Sequence, residues 1–300
     1  MADSISTWCE QHLGARPERE LFRKAHLSEV IGLALSDGRE VVIKIRSASP
    51  RLEATTAIQR LLHARGFPCP AVLAGPAPFD GRAATAEAYL APSGEPPDHA
   101  LAQPVAELLA QLVDLAPHPI DFEALNPAPP WVGWDHGGPG IWPWPDDLDL
   151  DMNDHPGPAW LDNAATRVRD RLCDTESPYV IGHIDWEAHN LDWRGDQPVV
   201  VHDWDSLAIR PEPAIAGVAA ATFTTNGRGN TAATVADTAA FLDTYARQRP
   251  SWTDNDPAIA WCAGLWVLLY NAKKETLGGG TGYLQHLTAE LEERATNAGL

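Results

Sequence analysis

Apolar and polar residues alternate through residues 40–46, with Val41, Ile43 and Ile45 on one side and Val42, Lys44 and Arg46 on the other. A two-residue period is that of a strand, and it sets Lys44 on the face opposite the apolar one. Glu29–Leu35 is a second strand-like run, and Ser36-Asp37-Gly38-Arg39 between the two predicts an antiparallel hairpin turned at Asp-Gly. Ser49-Pro50 then opens a helix whose apolar stripe is Leu52, Ile58, Leu61 and Leu62, closed near Gly66 ahead of Pro68 and Pro70. Residues 71–74 and 84–90 predict two more strands. The stretch Ala91-Pro92-Ser93-Gly94-Glu95-Pro96-Pro97 is rich in breakers, so a lobe boundary is expected near residues 89–97.

Beyond the boundary the period lengthens. Residues 101–115 and 159–173 predict helices, two short strands flank Gly195, and helices return from about Pro213 to the end. Residues 117–158 hold no period and are crowded with proline, glycine, aspartate and Trp131, Trp134, Trp142 and Trp144. So long an irregular insert is expected to be functional or mobile. The longest apolar run, residues 258–270, follows Asp256-Pro257, read as an N-cap with proline at the first helical position. It falls short of the roughly 18 to 20 residues of a membrane span, so it predicts a buried helix and no membrane partner. The layout is a β-rich lobe over residues 1–90 and a larger, mainly helical lobe over 91–300.

Composition narrows the partners. Acidic residues outnumber basic ones 41 to 22, giving a net charge of −19, a field that repels nucleic acid and anionic lipid and attracts a cationic small molecule. The four cysteines, Cys9, Cys69, Cys173 and Cys262, form no C-x-x-C pair, which fits a reducing compartment. The first ten residues lack a basic segment followed by an apolar run, so a cytoplasmic protein is expected.

The chemistry is concentrated in Gly182-His183-Ile184-Asp185-Trp186-Glu187-Ala188-His189-Asn190 and in Val199-Val200-Val201-His202-Asp203-Trp204-Asp205. This is H-x-D-x-x-x-x-N followed by an apolar strand ending in Asp. Folding the chain about Gly195 and Asp196 sets Asn190 opposite about Val201, so that Asp203 emerges beside Asn190. A carboxamide and a carboxylate there are hard oxygen donors of the kind Mg²⁺ takes, and Asp185, one loop away, can accept a proton from a hydroxyl. With Lys44 on the earlier strand, these are the parts of a kinase-type phosphoryl transferase, and Glu53 in the following helix is the natural carboxylate to position Lys44.

Together these segments resemble the aminoglycoside phosphotransferase family, a branch of the protein-kinase-like fold that also includes choline-kinase-like and other small-molecule kinases. The resemblance runs from the Asp37-Gly38 hairpin through Asp203-Trp204-Asp205 into the helical tail. It implies a two-lobed α+β fold, ATP or GTP and Mg²⁺ as cofactors, and a small-molecule hydroxyl as phosphate acceptor. Asp185 is then the catalytic base, Asn190 and Asp203 the metal ligands, and His183 a structural brace of the loop. Backbone groups near Glu87 and Tyr89 would meet adenine. Two departures stand out. Ile184 occupies a position where the family has glycine, which a branched residue tolerates at negative φ. Residues 22–29 show no glycine-rich phosphate loop, so the Ser28-Glu29-Val30 approach, through backbone N–H groups or the Ser28 hydroxyl, is expected to serve instead.

Asp205 reads as a structural acceptor or a second metal contact, and His189 and His202 as packing or hydrogen-bonding residues. Two rival readings remain open. One is a metal-dependent hydrolase using His183, Asp185, His202, Asp203 and Asp205, which would need a transition metal. The other is a nucleotide-binding pseudoenzyme of kinase fold. The acidic run at residues 146–154 has the alternating Asp149, Asp151 and Asn153 of a calcium loop but lacks the glycine and the twelfth-position glutamate, having Asp154 and Trp160 there. It is read as a solvated loop or as an acidic lip on the acceptor pocket beside Trp142 and Trp144. Antibiotic inactivation and metabolite phosphorylation are equally compatible with these residues.

Overall fold

The computed structural model describes residues 2–25, 28–94, 96–97, 101–227, 232–278 and 282–300. Glu95 of the expected linker and residues 26 and 27, which precede the expected Ser28-Glu29-Val30 approach, lie outside the described residues. Contacts divide the chain into two compact units, Met1–Pro92 with Val200–Asp205, and Ser93–Val199 with Ser206–Leu300.

The first unit is built on a five-stranded antiparallel sheet of order β1-β2-β3-β5-β4. Its strands are β1 (Pro17–Ala25), β2 (Glu29–Leu35), β3 (Glu40–Arg46), β4 (Val72–Phe79) and β5 (Arg82–Ala88). The Asp37-Gly38 turn does what the sequence asks: Gly38 takes φ +85, and Val30 pairs with Lys44 and Leu33 with Val41. Ile31, Leu33, Val41, Ile43, Ile45, Ala84 and Ala86 form one buried face, covered by Ile5, Trp8 and Cys9 of α1 (Ala2–Leu13). The opposite face carries Lys44 and, across the ladder, Thr85 and Glu87. Helix α2 (Pro50–Ala64) is capped by the Ser49 hydroxyl, which accepts from the Leu52 N–H at 3.1 Å, with Pro50 in its first turn. Residues 200–205 belong to this unit because the Val201 N–H donates to the Pro68 carbonyl at 2.9 Å. The Trp204 ring also packs edge-on against Phe67, with centroids 5.8 Å apart.

The second unit is mainly helical: α3 (Ala102–Leu115), α4 (Ala159–Cys173), α5 (Glu212–Thr222), α6 (Val235–Gln248), α7 (Asp256–Glu275) and α8 (Tyr283–Asn297). Strands β6 (Tyr179–His183) and β9 (Leu207–Pro211) pair antiparallel, while β7 (Leu191–Arg194) and β8 (Gln197–Val201) form the hairpin around Gly195. Helix α7 is the buried helix expected from its apolar run, with Asn255 rather than Asp256 at the cap. Asp256 instead accepts from the Thr253 N–H and the Ser177 hydroxyl. Among the described residues no helix is long and apolar enough to cross a membrane.

The irregular insert is packed rather than loose. Trp134 and Trp142 are buried against Trp266 of α7, and the Arg169 guanidinium of α4 donates to the carbonyls of Trp134, His136 and Gly140 at 2.6, 3.0 and 2.7 Å. Backbone that forms no regular ladder still needs partners for its carbonyls, and one arginine supplies three. The Asn153 side chain adds to this by accepting from the Ile141 and Trp142 N–H groups, both at 3.0 Å.

Candidate active site

The loop at residues 183–190 begins where β6 ends. Gly182 is fixed there by packing, since a Cβ would sit 2.3 Å from the Ile215 side chain of α5. His183 follows, fully buried, its ring 5.6 Å from that of Trp186 and its Nδ1 accepting from the Asp185 N–H at 3.3 Å. Ile184 donates its N–H to the Ser206 carbonyl at 2.8 Å, and its own carbonyl accepts from the Trp131 indole at 3.4 Å. Among the described residues only Asp80 and Asp203 are non-glycines with positive φ, so Ile184 has the negative φ that a branched side chain needs.

Two further indoles hold this region. Trp186 donates to the Val105 carbonyl at 3.2 Å, Trp193 to the Ala188 carbonyl at 2.8 Å, and both rings are buried. Within the sheet unit, the Trp204 indole donates to the Val201 carbonyl at 3.0 Å. Each ring brings apolar area and one N–H, which suits a turn whose carbonyls would otherwise lack donors.

The loop's side chains converge on Asp185. The Asn190 amide nitrogen donates to the Asp185 carbonyl at 2.9 Å and to its Oδ2 at 2.8 Å, which aims the Asn190 amide oxygen the other way. Glu187, to which the sequence reading gave no role, is nearly buried beside Asp185. Burial, with the Asp185 charge adding, raises its carboxyl well above the ordinary range. Its Oε2 lies 3.2 Å from His189 Nδ1. Burial also pushes up the phenol of Tyr283, at the start of α8, with Glu187 and Asp185 contributing, so this tyrosine lies within the field of the loop.

In the sheet unit, Asp203 has left-handed backbone at φ +58, a conformation that Asp tolerates better than most residues and that marks special positions. Asp205 pairs with Arg46 of β3 at 2.6 Å. Burial raises the Asp205 carboxyl, while Arg46 opposes that shift.

One expectation needs correction. Lys44 is paired with Glu87, not Glu53: the Nζ to Oε1 distance is 2.8 Å, with 12% and 9% of the two side chains exposed. Thr85 lies directly across the ladder from Lys44, so Glu87, two residues on, shares its face, whereas Glu53 stands exposed in the first turn of α2. Glu87 thus turns its carboxylate to Lys44. Its backbone lies between β3 and β4, and the next two N–H groups, of Ala88 and Tyr89, donate to the carbonyls of Ala71 and Glu40. The N–H groups of residues 88 and 89 are therefore spent inside the sheet. The Tyr89 ring packs against Phe22 of β1 at 5.9 Å, and Ser28 sits in the bend before β2.

The sequence reading also missed Gln59 and Arg46. Gln59 is a buried polar residue on the apolar side of α2, and its amide donates to Glu87 Oε2 at 3.1 Å. That break in the stripe is the signal that could have found it. Among the described residues no group of three His, Cys, Asp or Glu is placed to hold a metal ion.

The acidic run is likewise occupied: Asp147 pairs with Lys274, and Asp151 accepts from the Asn153 backbone and side-chain N–H groups at 2.8 and 2.7 Å.

No protein-family model matches this sequence. No curated protein matches it. Solved structures do match. The amicoumacin kinase hAmiN, in complex with AMP-PNP, Ca²⁺ and Ami, superposes with a TM-score of 0.61 at 12% identity, over 94% of this chain and 89% of that one. A macrolide 2′-phosphotransferase from Brachybacterium faecium gives 0.57 at 14% identity, over 99% and 98%. An aminoglycoside phosphotransferase from Alicyclobacillus acidocaldarius gives 0.52 at 16% identity, over 93% and 91%. The chain has the kinase-like fold of these small-molecule phosphotransferases, a β-sheet unit and a mainly helical one.

Proposed function

We propose that this protein is a small-molecule kinase that moves the γ-phosphate of ATP or GTP onto a hydroxyl of a small acceptor. The observation that carries the reading is the Asp185–Asn190 pair, held by hydrogen bonds of 2.8 and 2.9 Å inside a loop braced by buried indoles. A carboxylate held in orientation by a neighbouring amide is placed to take up the proton of an attacking hydroxyl. In the step proposed, the acceptor oxygen bonds to the γ-phosphorus and the bond to the β–γ bridging oxygen breaks. The nucleoside diphosphate leaves, and the hydroxyl proton passes to Asp185.

The proposed Mg²⁺ ligands are Asn190, whose amide nitrogen is spent on Asp185 and whose oxygen is a hard donor, and the carboxylate of Asp203, a donor of the same class. When bound, the ion neutralises phosphate charge. Lys44 meets the nucleotide phosphates, residues 1–90 bind nucleotide, and residues 91–300 carry the catalytic loop and the acceptor site. The net charge of −19 favours a cationic acceptor. Likeness to structures whose names specify amicoumacin, macrolides and aminoglycosides supports a hydroxylated small molecule as the acceptor class.

The test is nucleoside diphosphate release with Mg²⁺ and ATP or GTP across aminoglycosides, macrolides, amino alcohols and sugars. Asp185→Asn is expected to keep nucleotide binding and to lower kcat by about 10²- to 10⁴-fold. A wild type that binds nucleotide but transfers to no acceptor supports the pseudoenzyme instead, and an Asp185→Asn variant with undiminished kcat removes Asp185 from the chemistry.

A further inference from the structure

We infer that Glu87 of β5 is the positioning residue for Lys44, with Gln59 of α2 fixing its second oxygen, and that no carboxylate of α2 serves this purpose. The inference rests on the phosphotransferase reading above and names a residue for it.

The geometry is complete around the carboxylate. Oε1 takes the Lys44 ammonium at 2.8 Å and Oε2 takes the Gln59 amide at 3.1 Å, while the same amide nitrogen reaches the Pro70 carbonyl at 3.0 Å. Gln59 is therefore anchored to backbone and cannot follow Glu87 if the carboxylate moves. Lysine and glutamate lie diagonally across one antiparallel ladder, a separation that long side chains span.

Charge makes the pairing selective. An ammonium with 12% of its side chain exposed needs a carboxylate close by, and a half-satisfied buried pair is destabilising. Glu53 is the only acidic residue in α2, and it is exposed. The second cation on the same face of β3, Arg46, has its own carboxylate in Asp205, so Glu87 is not shared. Lys44, Arg46, Thr56, Gln59, Glu87 and Asp205 line one small polar recess.

A mechanical consequence follows from the location of the pair. Where the carboxylate is on a helix, lysine direction depends on how the helix packs. Here both partners stand on hydrogen-bonded neighbours in one sheet, so Lys44 is aimed by the ladder itself, and α2 supplies only a neutral amide.

The test compares the wild type with Glu87→Gln, Glu87→Asp, Glu53→Gln and Gln59→Met, each checked for fold by circular dichroism. Glu87→Gln is expected to lower kcat/KM for nucleotide by about 10- to 100-fold while the acceptor KM stays within about twofold, because misaiming a phosphate ligand leaves acceptor binding intact. Glu87→Asp should recover part of the loss, and Gln59→Met should show a smaller loss of the same kind. A second readout needs no turnover. The chain has four lysines, Lys24, Lys44, Lys273 and Lys274, so reductive methylation followed by peptide mass spectrometry reports on each. Lys44 should react slowly in the wild type and several-fold faster in Glu87→Gln, but not in Glu53→Gln. Equal Lys44 reactivity in the wild type and Glu87→Gln, or kinetic loss in Glu53→Gln with Glu87→Gln like the wild type, overturns the assignment. A wild type without nucleotide turnover overturns the phosphotransferase reading, and with it the positioning role, while the methylation pattern still judges the pair itself.

Discussion

Burial separates the four cysteines of this chain. It pushes the Cys9 thiol up to about 11 and those of Cys69 and Cys262 up to about 12, whereas Cys173 at the end of α4 is exposed. The thiolate is the reactive form, and at pH 8 a thiol titrating near 11 is ionised in only about one molecule in a thousand. A disulfide reagent at pH 8 is therefore expected to modify one thiol rapidly in the native protein and four in denaturant. Rapid reaction of two or more native thiols would contradict the burial described. The spacing of these residues could exclude metal ribbons, but not say which one faces water. The Lys44 partner has the same origin: β3 was legible from its alternation, yet the choice of Glu87 over Glu53 depends on β3–β5 register, which no local pattern contains. The Asp203 backbone at φ +58 was invisible for a like reason, since tertiary surroundings impose it on a residue whose neighbours read as an ordinary strand end.

At the scale of elements, legibility followed exposure. The hairpin, α2, α3 and α4 carry clean periods and appear at nearly the expected boundaries. Strand β1 was missed because it is an edge strand of sequence PERELFRKA, mostly exposed on both sides, so nothing alternates. The short strand β9 is buried throughout and also lacks alternation. The insert was expected to be functional or mobile, but its tryptophans and Arg169 pack it against α4 and α7, a use of aromatic residues that composition alone leaves ambiguous. Another silent feature is the contact of α5 with α7. A Cβ on Gly217 would lie 1.8 Å from the Ala260 carbonyl oxygen, and one on Gly264 would lie 2.7 Å from the Gly217 carbonyl oxygen. The two helices approach at backbone distance, and neither can yield without moving the other. Gly217→Ala is therefore expected to destabilise the protein by about 3 kcal/mol or more, although alanine is the better helix former. Urea unfolding followed by circular dichroism measures this, and a variant within about 0.5 kcal/mol of the wild type would mean that the crossing is looser than drawn.

Across the whole molecule the dominant electrostatic fact is the charge of −19, and it bears on which acceptor the proposed kinase takes. The acidic run alone is a weak source of that selection, because Asp147 is committed to Lys274 and Asp151 to Asn153, which ties these carboxylates into the insert's own structure. Replacing them would disturb packing as well as charge, so the field is better tested by salt than by mutation. Screening lengths shrink from about 10 Å at 0.1 M to about 3 Å at 1 M, which weakens attraction between exposed charges but leaves short, buried contacts nearly intact. For a cationic acceptor, KM is expected to rise about three- to tenfold between about 0.05 and 0.5 M salt, while a neutral hydroxylated acceptor of similar size stays within about twofold. Measuring both against one enzyme preparation cancels any effect of salt on nucleotide binding or on the fold. Parallel behaviour of the two acceptors, or a best acceptor that is neutral or anionic, would show that the global charge does not choose the substrate, and recognition would then rest on short-range contacts in the helical unit, where Asp185, Glu187 and Tyr283 are gathered.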